Sequence, residues 1–356
     1  MRGSTILPAK LKHWRGFWGT IGPNAAPAIV FVLLGLAHPA HAQVPAATEQ
    51  VERIMVTGEQ PGPGLWKVMR GTNVLWIAGT HAPVPKNLTW KSKRIEDAVR
   101  SAQEVLAPPS VSVSSSQIGW WTTLTLVPSA FNVPYNPDDK LLKDVVPPAL
   151  YARWEVQRDK HLQGYNDTNN EVDRWRPWFA ASRLYRSALD KAGLTGTNPM
   201  WARVIEVAKQ AKVRVTEVNY EPKIQSPRAA VKEYSNKPLD DLACFEKTLE
   251  RLETDMDAMR QRANAWARGN VDQIRKLPEA DQSIACNTAF LNSPLAKAVG
   301  AVDLRRELDQ AWLKEAERAL NSNRVTVAVL PVTRLVAPEG YLSALKARGY
   351  LVEEPE

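Results

Sequence analysis

Leu65-Trp66-Lys67-Val68-Met69-Arg70-Gly71-Thr72-Asn73-Val74-Leu75-Trp76-Ile77-Ala78 is the stretch from which the fold can be read. Residues 65–69 and 74–78 are rich in aromatic and branched side chains. Between them, Arg70-Gly71-Thr72-Asn73 supplies Gly and Asn where a tight turn needs φ > 0. The reading is a β-hairpin whose second strand ends in Gly79-Thr80-His81. After Pro83 and Pro85, Ile95, Ala98, Val99 and Ala102 recur at i, i+3, i+4 and i+7, which predicts a helix. Glu104-Val105-Leu106-Ala107 then reads as a short strand running into Pro108-Pro109-Ser110 and a Ser-rich loop up to Ser116.

The middle of the chain reads as helical and aromatic. Trp154, Trp175, Trp178, Phe179, Leu184, Tyr185, Ala188 and Leu189 fall largely on one helical face, a pattern of core packing. A helix carrying Val204, Ile205, Val207 and Ala208 leads into a strand at residues 213–218, with the acid Glu217 near its end. Long helices follow, with Leu249, Leu252, Met256, Met259, Ala263 and Trp266 as their apolar positions. A last long helix, residues 303–320, precedes the buried-looking strand 325–330, a loop, a helix at 340–347 and a final strand near Tyr350. Strands alternating with helices predict an α/β fold with α+β character. It is two-lobed, with strand-bearing N- and C-terminal parts and a largely helical middle. The expected organisation is a leader at 1–42, a lead-in at 43–62 and a single domain at 63–356. Within it, the N-lobe spans about 63–130, the helical middle about 131–300 and the C-terminal lobe about 301–356.

The first 42 residues have the pattern of a secretory signal. Arg2, Lys10, Lys12 and Arg15 precede an apolar run from Ala25 to Ala37, and Ala40-His41-Ala42 before Gln43 is a small-x-small cleavage site. The run is too short for a spanning helix, which needs about 20 residues. An uncleaved anchor is the alternative. No later stretch is apolar enough to span a bilayer, so a chain exported to a periplasm or beyond is expected. Of the 46 Lys and Arg, those four lie in the leader and none of the 38 Asp and Glu does, so the net charge falls from +8 to +4. That balance argues against a nucleic-acid partner. An even pair of cysteines, Cys244 and Cys286, in an exported chain predicts one disulfide, with two buried thiols as the alternative. It would close a loop of about 40 residues and contribute roughly 4 kcal/mol.

Three stretches together resemble one family. They are Gly64-Leu65-Trp66-Lys67-Val68 followed by Gly79-Thr80-His81 and Leu88-Thr89-Trp90; Cys244 to Cys286 with Trp266-Ala267-Arg268-Gly269-Asn270 between; and the closing strand followed by Gly340-Tyr341-Leu342 and Arg348-Gly349-Tyr350-Leu351-Val352. The pattern resembles the TraB/PrgY/GumN family, in its GumN-like exported branch, over nearly all of the chain after the leader. The resemblance implies a two-lobed fold related to the Tiki metalloproteases. It also implies a divalent-metal site gathered by a Gly-x-x-His after an early strand, a Glu at the end of the next strand and a second Gly-x-x-His after a late strand. In this chain Gly79 matches the first Gly, but Ala82 stands where the first His is expected. Ala107 stands at the acid, Pro331 at the second Gly and Arg334 at the second His. The Arg-Asn pair that members often carry after the second Cys has no counterpart in residues 287–292.

The residues alone also disfavour a metal centre. Of five His, three (His13, His38, His41) lie in the leader. His81 and His161 remain, with no HExxH and no His pair at helical spacing, whereas a catalytic zinc site takes three protein ligands. His161, in Arg158-Asp159-Lys160-His161, reads as a surface residue. No Gly-x-Ser-x-Gly elbow, P-loop or dinucleotide fingerprint occurs. The expected function is therefore a catalytically degenerate envelope protein that takes no cofactor and binds a peptide, protein or glycan. The alternative is a metal-dependent hydrolase or peptidase rebuilt on His81 and acids such as Glu217, and a divalent metal is expected only there. A carboxylate pair of Glu217 with Asp173 or Glu221 is a separate, weaker catalytic candidate.

Overall fold

The computed structural model describes residues 59–112, 133–162, 171–221, 227–276, 281–298 and 304–355. The leader with its Ala42/Gln43 junction, most of the lead-in and residues 113–116 of the Ser-rich stretch lie outside the described residues. The strands are β1 (Glu59–Gln60), β2 (Leu65–Arg70), β3 (Asn73–Thr80), β4 (Val84–Pro85), β5 (Thr89–Trp90), β6 (Glu104–Val111), β7 (Leu194–Thr195), β8 (Arg214–Tyr220), β9 (Val325–Pro331) and β10 (Leu351–Glu353). The helices in the first half are α1 (Lys93–Ser101), α2 (Leu142–Val145), α3 (Pro148–His161), α4 (Pro177–Lys191) and α5 (Pro199–Gln210). Those that follow are α6 (Pro227–Asn236), α7 (Leu242–Thr254), α8 (Met256–Ala267), α9 (Val271–Lys276), α10 (Asp281–Leu291), α11 (Pro294–Ala298), α12 (Leu304–Ser322), α13 (Val332–Val336) and α14 (Tyr341–Ala347).

The hairpin is present as β2 and β3, in antiparallel register from Leu65↔Ala78 to Arg70↔Asn73. Its two-residue turn is Gly71-Thr72, and Gly71 takes φ 59°, a conformation that a side chain disfavours. Strands from both ends of the chain interleave in one six-stranded mixed sheet, order β10-β2-β3-β9-β6-β8. This is an α/β arrangement of α+β character with a helical middle, although that middle also contributes β8. Central β9 is parallel to both β3 and β6. Val327, Ala328, Val329 and Leu330 are all fully buried, so both faces of the sheet are covered at this strand. α12 packs on β6, β8 and β3, while α1 lies against β9 and α5. Trp66, Trp266 and Trp312 fill this core, and each such side chain contributes on the order of 5 kcal/mol through apolar burial.

A second core lies among the helices, around Leu142, Trp154, Leu184, Phe245, Leu249 and Leu252. Trp154 and Phe245 meet with ring centroids 5.4 Å apart. The aromatic stripe read from the sequence is only partly core: Trp154, Leu184, Ala188 and Leu189 are buried, while Trp175, Trp178, Phe179 and Tyr185 are half-buried. Two other expectations are corrected. The segment after β9 is not a loop throughout, since residues 332–336 form α13. His161 is not a surface residue: it is buried at the end of α3, where α4 covers it and Ser187 Oγ donates to its carbonyl at 2.7 Å. Its charged neighbours misled the reading, because on a helix they point elsewhere.

Cys244 in α7 and Cys286 in α10 have their sulfurs 1.97 Å apart, at disulfide distance. Among the described residues no helix is long and apolar enough to cross a membrane.

Candidate functional site

Parallel pairing fixes which segments leave the sheet together. Gly79 lies opposite Leu330 and Thr80 opposite Pro331, so the chain leaves β3 and β9 side by side at one edge. β6 flanks β9 there, with Leu106 opposite Ala328, which places Ala107 alongside. The positions of interest thus gather at the C-terminal edge of three adjacent strands, as open α/β sites do. Their chemistry is another matter. Ala82 is an exposed methyl group, Ala107 is buried and Pro331 is exposed. None of the three offers a side-chain donor to a metal.

Arg334 on α13 is held by its neighbours. Its guanidinium pairs with the carboxylate of Asp309 on α12. The other oxygen of that carboxylate accepts a hydrogen bond from Tyr341 Oη at 2.5 Å. The guanidinium also sits 5.8 Å from the Tyr341 ring centroid, and Trp312 packs on the same ring at 4.8 Å. Burial, then the bond to Asp309, pushes the Tyr341 phenol well above its ordinary value. The turn from α13 to α14 is tight enough that a Cβ on Gly340 would collide with the Arg334 carbonyl oxygen. A fixed cation whose carboxylate partner is already engaged does not suit a divalent metal. The residues at these four positions do not fit one.

Gly79 has a packing reason of its own. A Cβ there would lie 2.7 Å from the Trp66 ring, and its carbonyl accepts from Trp266 Nε1 at 2.8 Å. That bond ties α8 to the end of β3. His81 follows on the segment leading to β4, against which α8 also packs. Its carbonyl accepts from Asn198 Nδ2 at 2.7 Å, while its buried Nε2 has no partner. Burial, with the charges of Arg262 and Arg251 close by, lowers the imidazole to about 4. The ring is neutral at physiological pH.

His81 and Glu217 are not brought together. Glu217 is exposed on edge strand β8, where it accepts from Asn219 Nδ2 at 2.9 Å. β9 and β6 stand between β3 and β8, and three interstrand steps amount to about 14 Å. Asp173 is engaged elsewhere, by Trp154 Nε1 at 3.1 Å and Arg158 at 3.2 Å. Glu221 accepts from Ser112 Oγ at 3.5 Å. Among the described residues no three His, Cys, Asp or Glu side chains converge as a metal site.

Close enough to His81 for its arginines to act on the imidazole is a group that the sequence reading missed. Arg251 near the end of α7 and Arg262 on α8 flank the helix elbow at Asp255, at 3.5 and 3.1 Å from its carboxylate. Both arginines are nearly buried. Arg251 Nη1 donates to Gln282 Oε1 at 2.9 Å, and its guanidinium carbon lies 5.4 Å from the centroid of the Tyr185 ring. Tyr185 Oη donates to Met259 Sδ at 3.3 Å. The available signal was two arginines and an aspartate embedded in the apolar pattern from Leu249 to Trp266, which attention to apolar periodicity alone passed over.

A mixed sheet with strand-end motifs at one edge and a disulfide-linked helical half defines the class of this protein. The sequence model of the TraB/PrgY/gumN family matches residues 64–354, and the chain belongs to that family. No curated protein and no solved structure matches it.

Proposed function

We propose that the chain is an exported family member that has given up metal chemistry and binds a peptide, protein or glycan of the cell envelope, most plainly in a bacterial periplasm. The observation that carries this reading is Arg334 locked by Asp309 and Tyr341 where the family resemblance expects the second His. Ala82, Ala107 and Pro331 support it by lacking donors at the companion positions. The secretory pattern of residues 1–42, the cysteine pair at disulfide distance and the absence of a spanning helix among the described residues are compatible with export. The alternative, a hydrolase rebuilt on His81 and Glu217, has about 14 Å of sheet between its two groups.

Calorimetric titration of the chain lacking residues 1–42 with manganese, cobalt and zinc tests the reading. No binding at micromolar metal, with the fold intact, is expected. Stoichiometric binding that disappears in His81→Ala would overturn it in favour of the hydrolase.

A further inference from the structure

The six-stranded sheet ends in β10 on one side and β8 on the other, and the two edges differ. β10 is 3 residues long, short enough to offer little to another strand. β8 is 7 residues long and contains no proline, and the shift in its pairing lies on the β6 side. The Ser112 N–H donates to the Tyr220 carbonyl at 3.1 Å, so the backbone groups of Tyr220 face β6. Alternation along the strand turns those of Val218 and Thr216 the same way, and those of Val215, Glu217 and Asn219 outward. Among the described residues none of these outward N–H and C=O groups has a backbone partner. Glu217 and Asn219 are exposed, so this edge is open, and an open edge is a template for another strand. Its side chains distinguish the two faces. Val218 is buried and Thr216 donates to Glu104, on the face that α12 covers. On the opposite face Ser110 Oγ donates to Asn219 Oδ1 at 2.6 Å, and Asn219 Nδ2 to Glu217 Oε2 at 2.9 Å. That relay holds a carboxylate beside the free backbone groups. Two copies of β8 pairing about Glu217 would set their carboxylates against each other, which is unfavourable, whereas a cation at that position is attracted.

We propose that β8 takes an extended segment of a partner protein as an added strand, with a lysine or arginine opposite Glu217 and apolar residues on either side of it. The main-chain groups of Val215, Glu217 and Asn219 supply the affinity, and alternate side chains supply the selection. Glu217 selects the cation, while the flanking apolar side chains fall on the other face, beside Val218. The inference rests on the binding reading above and narrows its ligand to an extended peptide.

Titration of the isotope-labelled chain with acetyl-Thr-Val-Lys-Val-Thr-amide, followed by amide NMR, tests it. Shifts are expected to centre on Val215, Glu217 and Asn219, with slower hydrogen exchange at their amides. Glutamate in place of the peptide's lysine should weaken binding by about fivefold, and Glu217→Lys should reverse that order. Two backbone-methylated peptides add a readout that side-chain docking would not give. Methylation of one alternate set of nitrogens, either the valines or the lysine with the threonines, should abolish binding while the other set is tolerated, because an added strand turns only one set toward the edge. No binding, shifts centred elsewhere, or equal tolerance of both methylated peptides would overturn the proposal. Protection of the same amides that rises with protein concentration alone would also overturn it, replacing the peptide with a second copy. Metal binding in the calorimetric experiment would overturn the function proposed above and leave these titrations unaffected, and failure here would leave the proposed loss of metal chemistry standing.

Discussion

Single side chains carry the sharpest energetic statements. Glu104 is fully buried at the start of β6, yet accepts from Thr216, from Arg318 at 2.5 Å, from Asn323 at 2.6 Å and from Arg214 at 3.0 Å. Burial alone would raise its carboxyl, but these four donors together hold it below its ordinary value. Both arginines keep some contact with water, so Glu104→Ala is expected to lower unfolding free energy by about 2–3 kcal/mol in urea titrations at pH 7. The stabilisation it contributes is present above the ordinary carboxylate range and fades as pH falls through the depressed folded value. His81 acts at higher pH. Its imidazole falls from 6.5 to about 4 on folding, so the unfolded chain takes up a proton first. The stability tied to its neutral form is complete above 6.5 and is lost as pH drops toward 4, up to roughly 3 kcal/mol. Asp241 works the other way: burial raises it to about 6, so its contribution is full below 3.8 and lost as pH rises through 6. Comparing the unaltered chain with His81→Gln cancels the Asp241 contribution. Urea midpoints of the two should diverge as pH falls from about 7 to about 5, with the unaltered chain losing more.

Secondary-structure elements were legible to the degree that their cause is local. The hairpin at Gly71-Thr72, strand β9 and helix α12 follow from turn chemistry and apolar periodicity, and each forms within a few residues of the expected span. β6 was harder. It continues through Pro108-Pro109 to Val111 because its pairing with β8 shifts register between Leu106 and Pro109, where proline has no N–H to give. α4 begins at Pro177 with help from a distant side chain, as Asp241 accepts from the Trp178 N–H at 2.7 Å. Nothing near Trp178 in sequence announces that cap. The disulfide is also an element-scale device, since it fastens α10 to α7 while the sheet is built without it. Replacing both Cys244 and Cys286 by Ala is expected to lower stability by roughly 4 kcal/mol. In hydrogen exchange, protection should fall in α10 and persist in β3 and β9. Equal loss in those strands would mean that the helical half and the sheet unfold as one unit.

At the scale of the whole molecule, the site is legible only in part. The strand-end positions Ala82, Ala107 and Arg334 could be placed from the family resemblance, and the sheet order sets them along one edge. The ion pair that immobilises Arg334 joins residues 25 positions apart, and the group around His81 draws on α4, α7, α8 and α10. Such contacts are made by topology, and no local pattern encodes them. The same topology separates His81 from Glu217 by two intervening strands, which a linear reading leaves free to meet. The decisive question is whether the edge that gathers metal ligands in the family resemblance still holds a metal here. Elemental analysis of the chain purified without chelators answers it. Manganese, cobalt, iron and zinc are expected far below one per chain; one tightly held ion per chain would contradict the proposed loss of metal chemistry.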